Sequence, residues 1–241
     1  MSEDKQLPAN WEDKLASYAV AEAKEERPSA GFISLKSGIL TYEGSPVPDN
    51  TLDVVVIDSI FENTLYAGKY DPSKLSSPDC FALGHEKNDL KPHEMAVAPA
   101  NGSCASCPNL EWGSKEGSRG KACQERRRLI VIPATSATTD DDILAAEVAV
   151  MKLPVTSTKY WSQYINNLAS LHKRPAFAAI TTIKVSPDSK SQFRVDYACK
   201  DMLSMEVIEA IMQKRELVQE ILMKPYERSE DSSTSDNKKL G

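Results

Sequence analysis

Four of the five cysteines in this chain lie within residues 80–123, in a stretch that has neither helical nor strand periodicity. Proline, glycine, serine, asparagine and cysteine dominate residues 71–124, which is typical of loops. A loop of this length is improbable inside a compact domain unless something ties it together. The sequence therefore predicts a local crosslink, and the fold must be built around it.

The spacing of these cysteines predicts a structural zinc site. Cys104 and Cys107 form a two-residue knuckle whose thiolates can converge on one tetrahedral ion. Cys123 follows after fifteen intervening residues, a span typical of zinc ribbons. Cys80 completes a closed set of four thiolates, and we expect it to be the fourth ligand.

Several alternatives to this site stay open at the level of sequence. His85 or His93 could replace Cys80, which would give three thiolates and one imidazole. The cysteines could also be free or incidental thiols. A redox-active pair fits less well, because thioredoxin-type motifs open a helix after a strand and this pair lies in a loop. Cys199 falls in an alternating strand pattern and is expected to be a simple buried thiol.

Composition and charge indicate a globular protein in a reducing compartment. Hydrophobic residues make up 41% of the 241 residues, and the net charge of −6 argues against a basic surface covering the whole chain. No apolar run approaches the ~20 residues of a membrane helix, and the N-terminal segment lacks a signal-peptide pattern. We expect a cytoplasmic location (the host cytoplasm for a viral protein), reduced thiols and no membrane partner.

The order of elements predicts a mainly β protein with peripheral helices, of the α+β class. An OB-like barrel of about five strands with an inserted zinc-ribbon-like loop module fits best, and an α+β sheet with helices on one face is the alternative. The expected parts are an N-terminal helix (1–28), an OB-like core (29–203) with the zinc insert at 71–127, a C-terminal helix (204–225) and a disordered polar tail (226–241).

A locally basic segment interrupts this acidic chain. Residues 112–128 hold six cations and two carboxylates, and aromatic faces beside cations are how single-stranded nucleic acid is held. Three adjacent arginines point in different directions, so we do not expect all of them to pair internally. Trp112 could instead cap the small core of the zinc module, and the run could be a solvated face. The expected nucleic-acid-binding residues are Lys115, Arg119, Lys121, Arg126, Arg127, Arg128, Trp112, Tyr66, Lys69 and Tyr70.

The sequence contains no catalytic motif of the common kinds. Phosphate-binding loops, dinucleotide fingerprints, nucleophile elbows and paired-histidine zinc motifs are all missing from it. The carboxylates of Asp140–Asp142 could bind Mg²⁺ in a nuclease, but after Thr139 they more simply begin a helix. We therefore expect a protein that is not an enzyme.

Three segments, SSPDCFALG, CASCPNLEWGS and GKACQERRRLIVIP, resemble bacteriophage replication and recombination proteins in which such a cysteine pattern interrupts a β-rich domain. The arrangement is similar in kind to the helix-destabilising, single-stranded-DNA-binding proteins of T-even phages. It is also similar to the central, zinc-bearing OB domain of eukaryotic replication protein A. Phage recombination directionality factors, which are zinc-bearing partners of integrases, are about as similar.

This resemblance covers roughly residues 53–133 and implies zinc ligation at Cys80, Cys104, Cys107 and Cys123, with DNA contacts near the basic run. The T-even proteins differ in having a histidine among the ligands and a more acidic tail. The expected function is non-enzymatic single-stranded DNA binding in phage replication or recombination, with Zn²⁺ as cofactor and replication or recombination proteins as further partners. The alternative is an adaptor, or a recombination directionality factor, that acts on a recombinase or polymerase.

Overall fold

The computed structural model describes residues 14–15, 17–18, 31–66 and 77–226. Residues 14, 15, 17 and 18 are helical. The remainder of the predicted N-terminal helix, and the tail beyond residue 226, lie outside the described residues. No helix in the described ranges has the length and apolar character needed to cross a bilayer.

The described residues contain nine strands, and all of them belong to one sheet. They are β1 (Gly31–Ser34), β2 (Thr41–Tyr42), β3 (Ser45–Pro46), β4 (Thr51–Leu65), β5 (Cys80–Gly84), β6 (Gln124–Pro133), β7 (Ala149–Leu153), β8 (Ala179–Asp188) and β9 (Gln192–Met202). The sheet order is β3-β2-β1-β7-β6-β4-β8-β9, and β5 pairs with β4. Only the β1–β7 pair is parallel among these strand pairs.

Strand β4 is the spine of the sheet. It runs for 15 residues, pairs along most of its length with β6, and is bordered on its other side by β8 and then by β5. Its register with β6 shifts between Val56 and Asp58, and such irregularities bend a strand and increase its twist. One bent strand therefore spans residues 51–65.

The sheet is open and curled, like half of a barrel. The turn at Lys36–Gly38, beside β1, packs against β8 and β9 near the opposite end of the strand order. Gly38 has φ of +76°, and a Cβ added there would lie 3.4 Å from the Phe193 side chain. The mainly β expectation is confirmed, whereas the expected count of about five strands is too low.

Helices cover both faces of this sheet. They are α1 (Asp140–Ala145), α2 (Thr158–Asn167), α3 (Ile208–Leu217) and α4 (Gln219–Leu222), with a π-helical turn (Leu168–His172) after α2. In β4, Val54 and Val56 pack with Trp161 of α2, whereas Val55 and Ile57 pack with the α3 side of the molecule. A strand buried on both faces reads as a continuous apolar run, which explains the valine-rich sequence of β4.

Helix α1 begins as the sequence predicts. The Thr139 hydroxyl accepts the Asp142 N–H at 3.2 Å, and three aspartates fill the first turn, where carboxylates are favourable. This arrangement gives Asp140–Asp142 a helix-capping role.

A buried lysine joins α3 to the end of α1. Lys214 is only 7% exposed, and its ammonium donates to the carbonyls of Leu144 (2.8 Å) and Ala146 (2.6 Å). Burial lowers the pKa of Lys214. We expect Lys214→Met, which keeps the apolar stem, to reduce the free energy of unfolding by about 1–3 kcal/mol, because the two carbonyls lose their donor.

Urea unfolding checks this prediction against Lys200→Met as control. Lys200 forms an exposed pair with Asp53, and an exposed pair contributes about 1 kcal/mol or less. Equal effects of the two substitutions would show that the Lys214 contacts do not stabilise the fold.

Candidate functional site

Four cysteines from separate points of the segment 80–123 line one cavity. Cys80 begins β5, Cys123 immediately precedes β6, and Cys104 and Cys107 flank a turn closed by a 3.2 Å bond from the Cys107 N–H to the Cys104 carbonyl. All four are buried, and all line one small cavity of about 10 Å³. That volume is about one water-sized sphere, so the cavity suits a single ion.

Burial and the neighbouring cysteines disfavour the charged forms of Cys104 and Cys123. Burial, and then the charges of Cys104, Cys80 and Cys107, raise the pKa of Cys123 to about 12. Burial also raises the pKa of Cys104, against which a hydrogen bond from the buried Asn63 acts. Thiolates in such a cavity require a compensating cation.

The four cysteines share one cavity but are not arranged as metal ligands. Among the described residues, no group of three or more His, Cys, Asp or Glu side chains is arranged to hold a metal ion. The structure thus brings the four predicted ligands to a common cavity without the convergence that coordination would impose.

The two histidines proposed as alternative ligands lie elsewhere. His85 Nε2 is 3.1 Å from Asp58 Oδ2, and His93 Nδ1 accepts the Met95 N–H at 3.1 Å. The His93 ring also stacks on Phe81, with centroids 4.9 Å apart. Neither histidine lines the cysteine cavity, so the geometry favours Cys80 as the fourth member of the group.

The segment Cys80–Cys123, named here the cysteine module, has a small core without Trp112. That core contains Ala82, Leu90 and Cys104, with Phe61 and Leu110 packed against it. Trp112 is 79% exposed, so it does not cap the module. It lies at the start of a loop closed by bonds from the Gly113 N–H to the carbonyls of Arg119 (3.2 Å) and Gly120 (3.0 Å).

The basic residues of this loop differ in their surroundings. Lys115 and Arg119 are exposed. Lys121 pairs with Glu125, and its ammonium lies 5.4 Å from the centroid of the Trp112 ring. Tyr66, at the end of β4, is 39% exposed. Lys69 and Tyr70, also predicted to bind nucleic acid, lie outside the described residues.

The three adjacent arginines belong to β6, so they point alternately to the two faces of the sheet. Arg128 is 3% exposed, forms an ion pair with the fully buried Glu62, and donates to the carbonyls of Leu222 and Lys224. The prediction that Arg128 contacts nucleic acid is therefore wrong, because its guanidinium is used inside the protein. Arg126 is half-buried and donates to Gln124.

Tyr226 lies over the same buried pair. Its hydroxyl donates to Glu62 Oε1 at 2.7 Å, and its ring meets Phe81 edge-on with centroids 5.2 Å apart. Tyr226 was expected to begin a disordered tail, but its side chain is docked on the sheet.

Arg127 is the arginine in a setting suited to an external anion. Its guanidinium lies over the Phe61 ring, 3.2 Å from the centroid, and burial lowers the pKa of Arg127 to about 10. Within the described part of the chain, that guanidinium has no hydrogen bond or ion pair. Register places Arg127 opposite Phe61 and Glu125 opposite Asn63, on the sheet face that carries the cysteine module.

A second cavity, of about 230 Å³ and polar, lies between the cysteine module and strands β4 and β6. Sequence reasoning missed it, since its polar residues come from β4, β6 and the loop after β5 and share no motif. Its lining residues are Asn63, Lys87, Asn88, Cys104, Ala105, Leu110, Lys121 and Glu125.

The chain was compared with protein families, curated proteins and solved structures. No protein-family profile, no curated protein and no solved structure matches the chain.

Proposed function

We propose that this chain is a single-stranded-DNA-binding protein whose cysteine module is held together by zinc. The observation that carries the proposal is Trp112, a large aromatic ring 79% exposed on a basic loop, with Lys121 beside its face. Leaving so large an apolar side chain in water is unfavourable, and an exposed ring among cations suits stacking against a base. No catalytic step is part of the proposal.

Zinc fits the chemistry of the four cysteines. Cys80, Cys104, Cys107 and Cys123 supply the closed thiolate set of a structural site, and they line one ion-sized cavity. When bound, zinc would compensate the thiolate charges and supply folding energy to the module. Trp112 lies between Cys107 and Cys123 in the chain, so zinc bound to these cysteines would fix both ends of the loop that carries it.

Aromatic rings and cations follow one another on the module side of the sheet. Trp112 and Lys121 lie at the loop, Glu125 follows on β6, and Arg127 lies two residues further over Phe61. Neighbouring same-face positions on a strand are about 7 Å apart, which is comparable to the spacing of nucleotides in an extended single strand. The Arg127 guanidinium, which has no hydrogen bond or ion pair to the described residues, would meet a phosphate, and the two rings would meet bases.

The same proposal includes an OB-like role for the curled sheet and a zinc-ribbon-like character for the cysteine module. The curl of the sheet, and the insertion of the cysteine module between β4 and β6, support an OB-like use of the curved surface with a zinc-ribbon-like insert. The observed sheet has more strands than an OB barrel and is open, so the likeness concerns curvature and use. Phage replication or recombination is the setting that the sequence resemblance implies.

Removing the exposed ring tests the interface. We expect Trp112→Ala to weaken binding of a labelled dT oligonucleotide by about 5- to 150-fold, the range expected when one stacked base loses roughly 1–3 kcal/mol. Fluorescence anisotropy at fixed salt measures the effect. The control is Phe32→Ala, since Phe32 is a half-exposed ring on β1, outside the module.

The matched pair gives a clear decision. Equal affinities of the Trp112→Ala and wild-type proteins, or an equal loss in Phe32→Ala, would contradict the interface. Failure to bind any nucleic acid, together with co-purification of a recombinase or polymerase, would support the adaptor alternative.

A further inference from the structure

We infer that the polar cavity between the cysteine module and strands β4 and β6 is a subsite for one guanine base of a bound strand. The inference rests on the proposed function, because a strand must first reach the module. The cavity has a volume of about 230 Å³, below the roughly 300–1,000 Å³ of pockets for drug-sized ligands. A single base is therefore a suitable occupant.

The walls of the cavity combine apolar and polar surfaces. Leu110 and Ala105 contribute apolar surface, whereas Lys87, Lys121 and Glu125 contribute charge. A planar base needs both, since its faces are apolar and its edge carries hydrogen-bonding groups.

The carboxylate of Glu125 is held with both oxygens still able to accept. Lys87 Nζ donates to Oε1 at 2.8 Å, and Lys121 Nζ donates to Oε2. An ionised carboxylate has about four acceptor positions, so these two lysines leave one on each oxygen. One free acceptor position on each oxygen is the number that a ligand with two adjacent N–H donors requires.

Guanine presents the complementary edge. Its Watson–Crick edge has two adjacent donors, N1–H and the N2 amino group, beside the O6 acceptor. The carboxylate of Glu125 can accept both donors, and one of the lysines can donate to O6. Adenine, cytosine and thymine each offer such a carboxylate only one donor beside an acceptor, so they form one good bond where guanine forms two.

The position of Lys121 connects this cavity to the proposed interface. The same ammonium that bonds Glu125 lies 5.4 Å from the centroid of the Trp112 ring. A strand with one base stacked on Trp112 would therefore bring a neighbouring base to the cavity.

The test compares a labelled dT oligonucleotide with the same oligonucleotide carrying one central dG, dA or dC. For the wild-type protein we expect the dG oligonucleotide to bind about tenfold more tightly than dT, within the range for a bidentate base contact. Glu125→Gln should abolish that preference while dT binding is kept or strengthened, because one negative charge is removed from the surface. Lys91→Ala is the control, since Lys91 is exposed in the same segment and does not line the cavity.

A calorimetric titration with GMP, TMP and inorganic phosphate separates the possible occupants. Tighter binding of GMP than of TMP supports the guanine subsite, whereas equal binding of all three would identify a phosphate site and overturn it. Oligonucleotide binding without a dG preference overturns the subsite and leaves the proposed function standing. GMP binding without binding of any oligonucleotide would overturn the proposed function and, with it, a subsite for a base of a bound strand, and would leave a site for free guanine nucleotide.

Discussion

Replacing Cys107 with serine, or removing metal with a chelator, is expected to unfold the cysteine module, including β5, while the other strands of the sheet stay folded. The module has only a small buried core, in which Ala82, Leu90 and Cys104 are the fully buried members. A core of this size cannot hold a long loop alone, and structural zinc contributes roughly 10–16 kcal/mol of apparent folding energy in small modules. The two large cores around β4 and β6 do not depend on it.

Limited proteolysis with metal analysis of the same sample measures this effect. Wild-type protein should contain one zinc per chain, and Cys107→Ser should lose it and become cleavable within the Cys80–Cys123 segment. Cys199→Ser is the control, because Cys199 lies on β9 outside the module and should keep the zinc. A wild-type protein that neither contains nor takes up zinc, or a module equally resistant after chelation, would contradict the proposed site.

Arg128→Met is expected to lower the free energy of unfolding by about 3–5 kcal/mol, because it leaves the fully buried Glu62 without its partner. The substitution also removes the donor to the carbonyls of Leu222 and Lys224, which hold the chain after α4 on the sheet. Lys152 lies 3.7 Å from Glu62 and compensates only in part.

Urea unfolding of a double-mutant cycle isolates the pair. Adding Glu62→Gln to Arg128→Met should recover part of the lost stability, since the uncompensated charge is then gone. Arg126→Met is the control, because Arg126 donates only to Gln124 among the described residues. A loss below about 1 kcal/mol in Arg128→Met, as for an exposed ion pair, would show that Arg128 is free to act elsewhere.

The same pair makes stability depend on pH. Burial alone would raise the pKa of Glu62, but the charges of Arg128 and then Lys152 outweigh it and lower the pKa below the ordinary 4.5. A lowered pKa in the folded state stabilises the protein above pH 4.5, and that contribution is lost as the pH falls through the lowered value. In Arg128→Met the pKa of Glu62 should rise, so acid unfolding should begin at a higher pH.

The elements of the fold were largely predictable, because they depend on local patterns. The valine-rich run of β4, the β8–β9 hairpin and the capped start of α1 follow from alternation, turn residues and an N-cap threonine. The sequence did not predict that all nine described strands belong to one curled sheet. Pairing of β1 with β7, and contact of the Lys36–Gly38 turn with β9, join residues more than a hundred positions apart.

Candidate site residues could be predicted from the sequence where the type of side chain identifies them, as for the cysteines. They could not be predicted where the role depends on whether the side chain is buried, as for Arg128. Cys80, Cys104, Cys107 and Cys123, which the sequence singles out as ligands, line one cavity, and their binding of zinc stays a prediction. The run 126–128 appears uniformly basic in sequence, yet β6 alternates its side chains, and the partner that buries Arg128 is Glu62, 66 positions away. The apolar run that indicates this strand, RLIVIP, begins only at Arg128. Strand β6 begins four residues earlier, at Gln124, and the sequence gives no sign that Arg126 and Arg127 also belong to it.

The most direct test of the central claim is an anisotropy titration of the zinc-loaded protein with a labelled dT oligonucleotide at two salt concentrations, beside a duplex of the same length. We predict that the single strand binds more tightly than the duplex and that its affinity falls steeply as salt rises, because phosphate contacts release counterions. Equal binding of the two forms, affinity that does not change with salt, or no binding at low salt would contradict it.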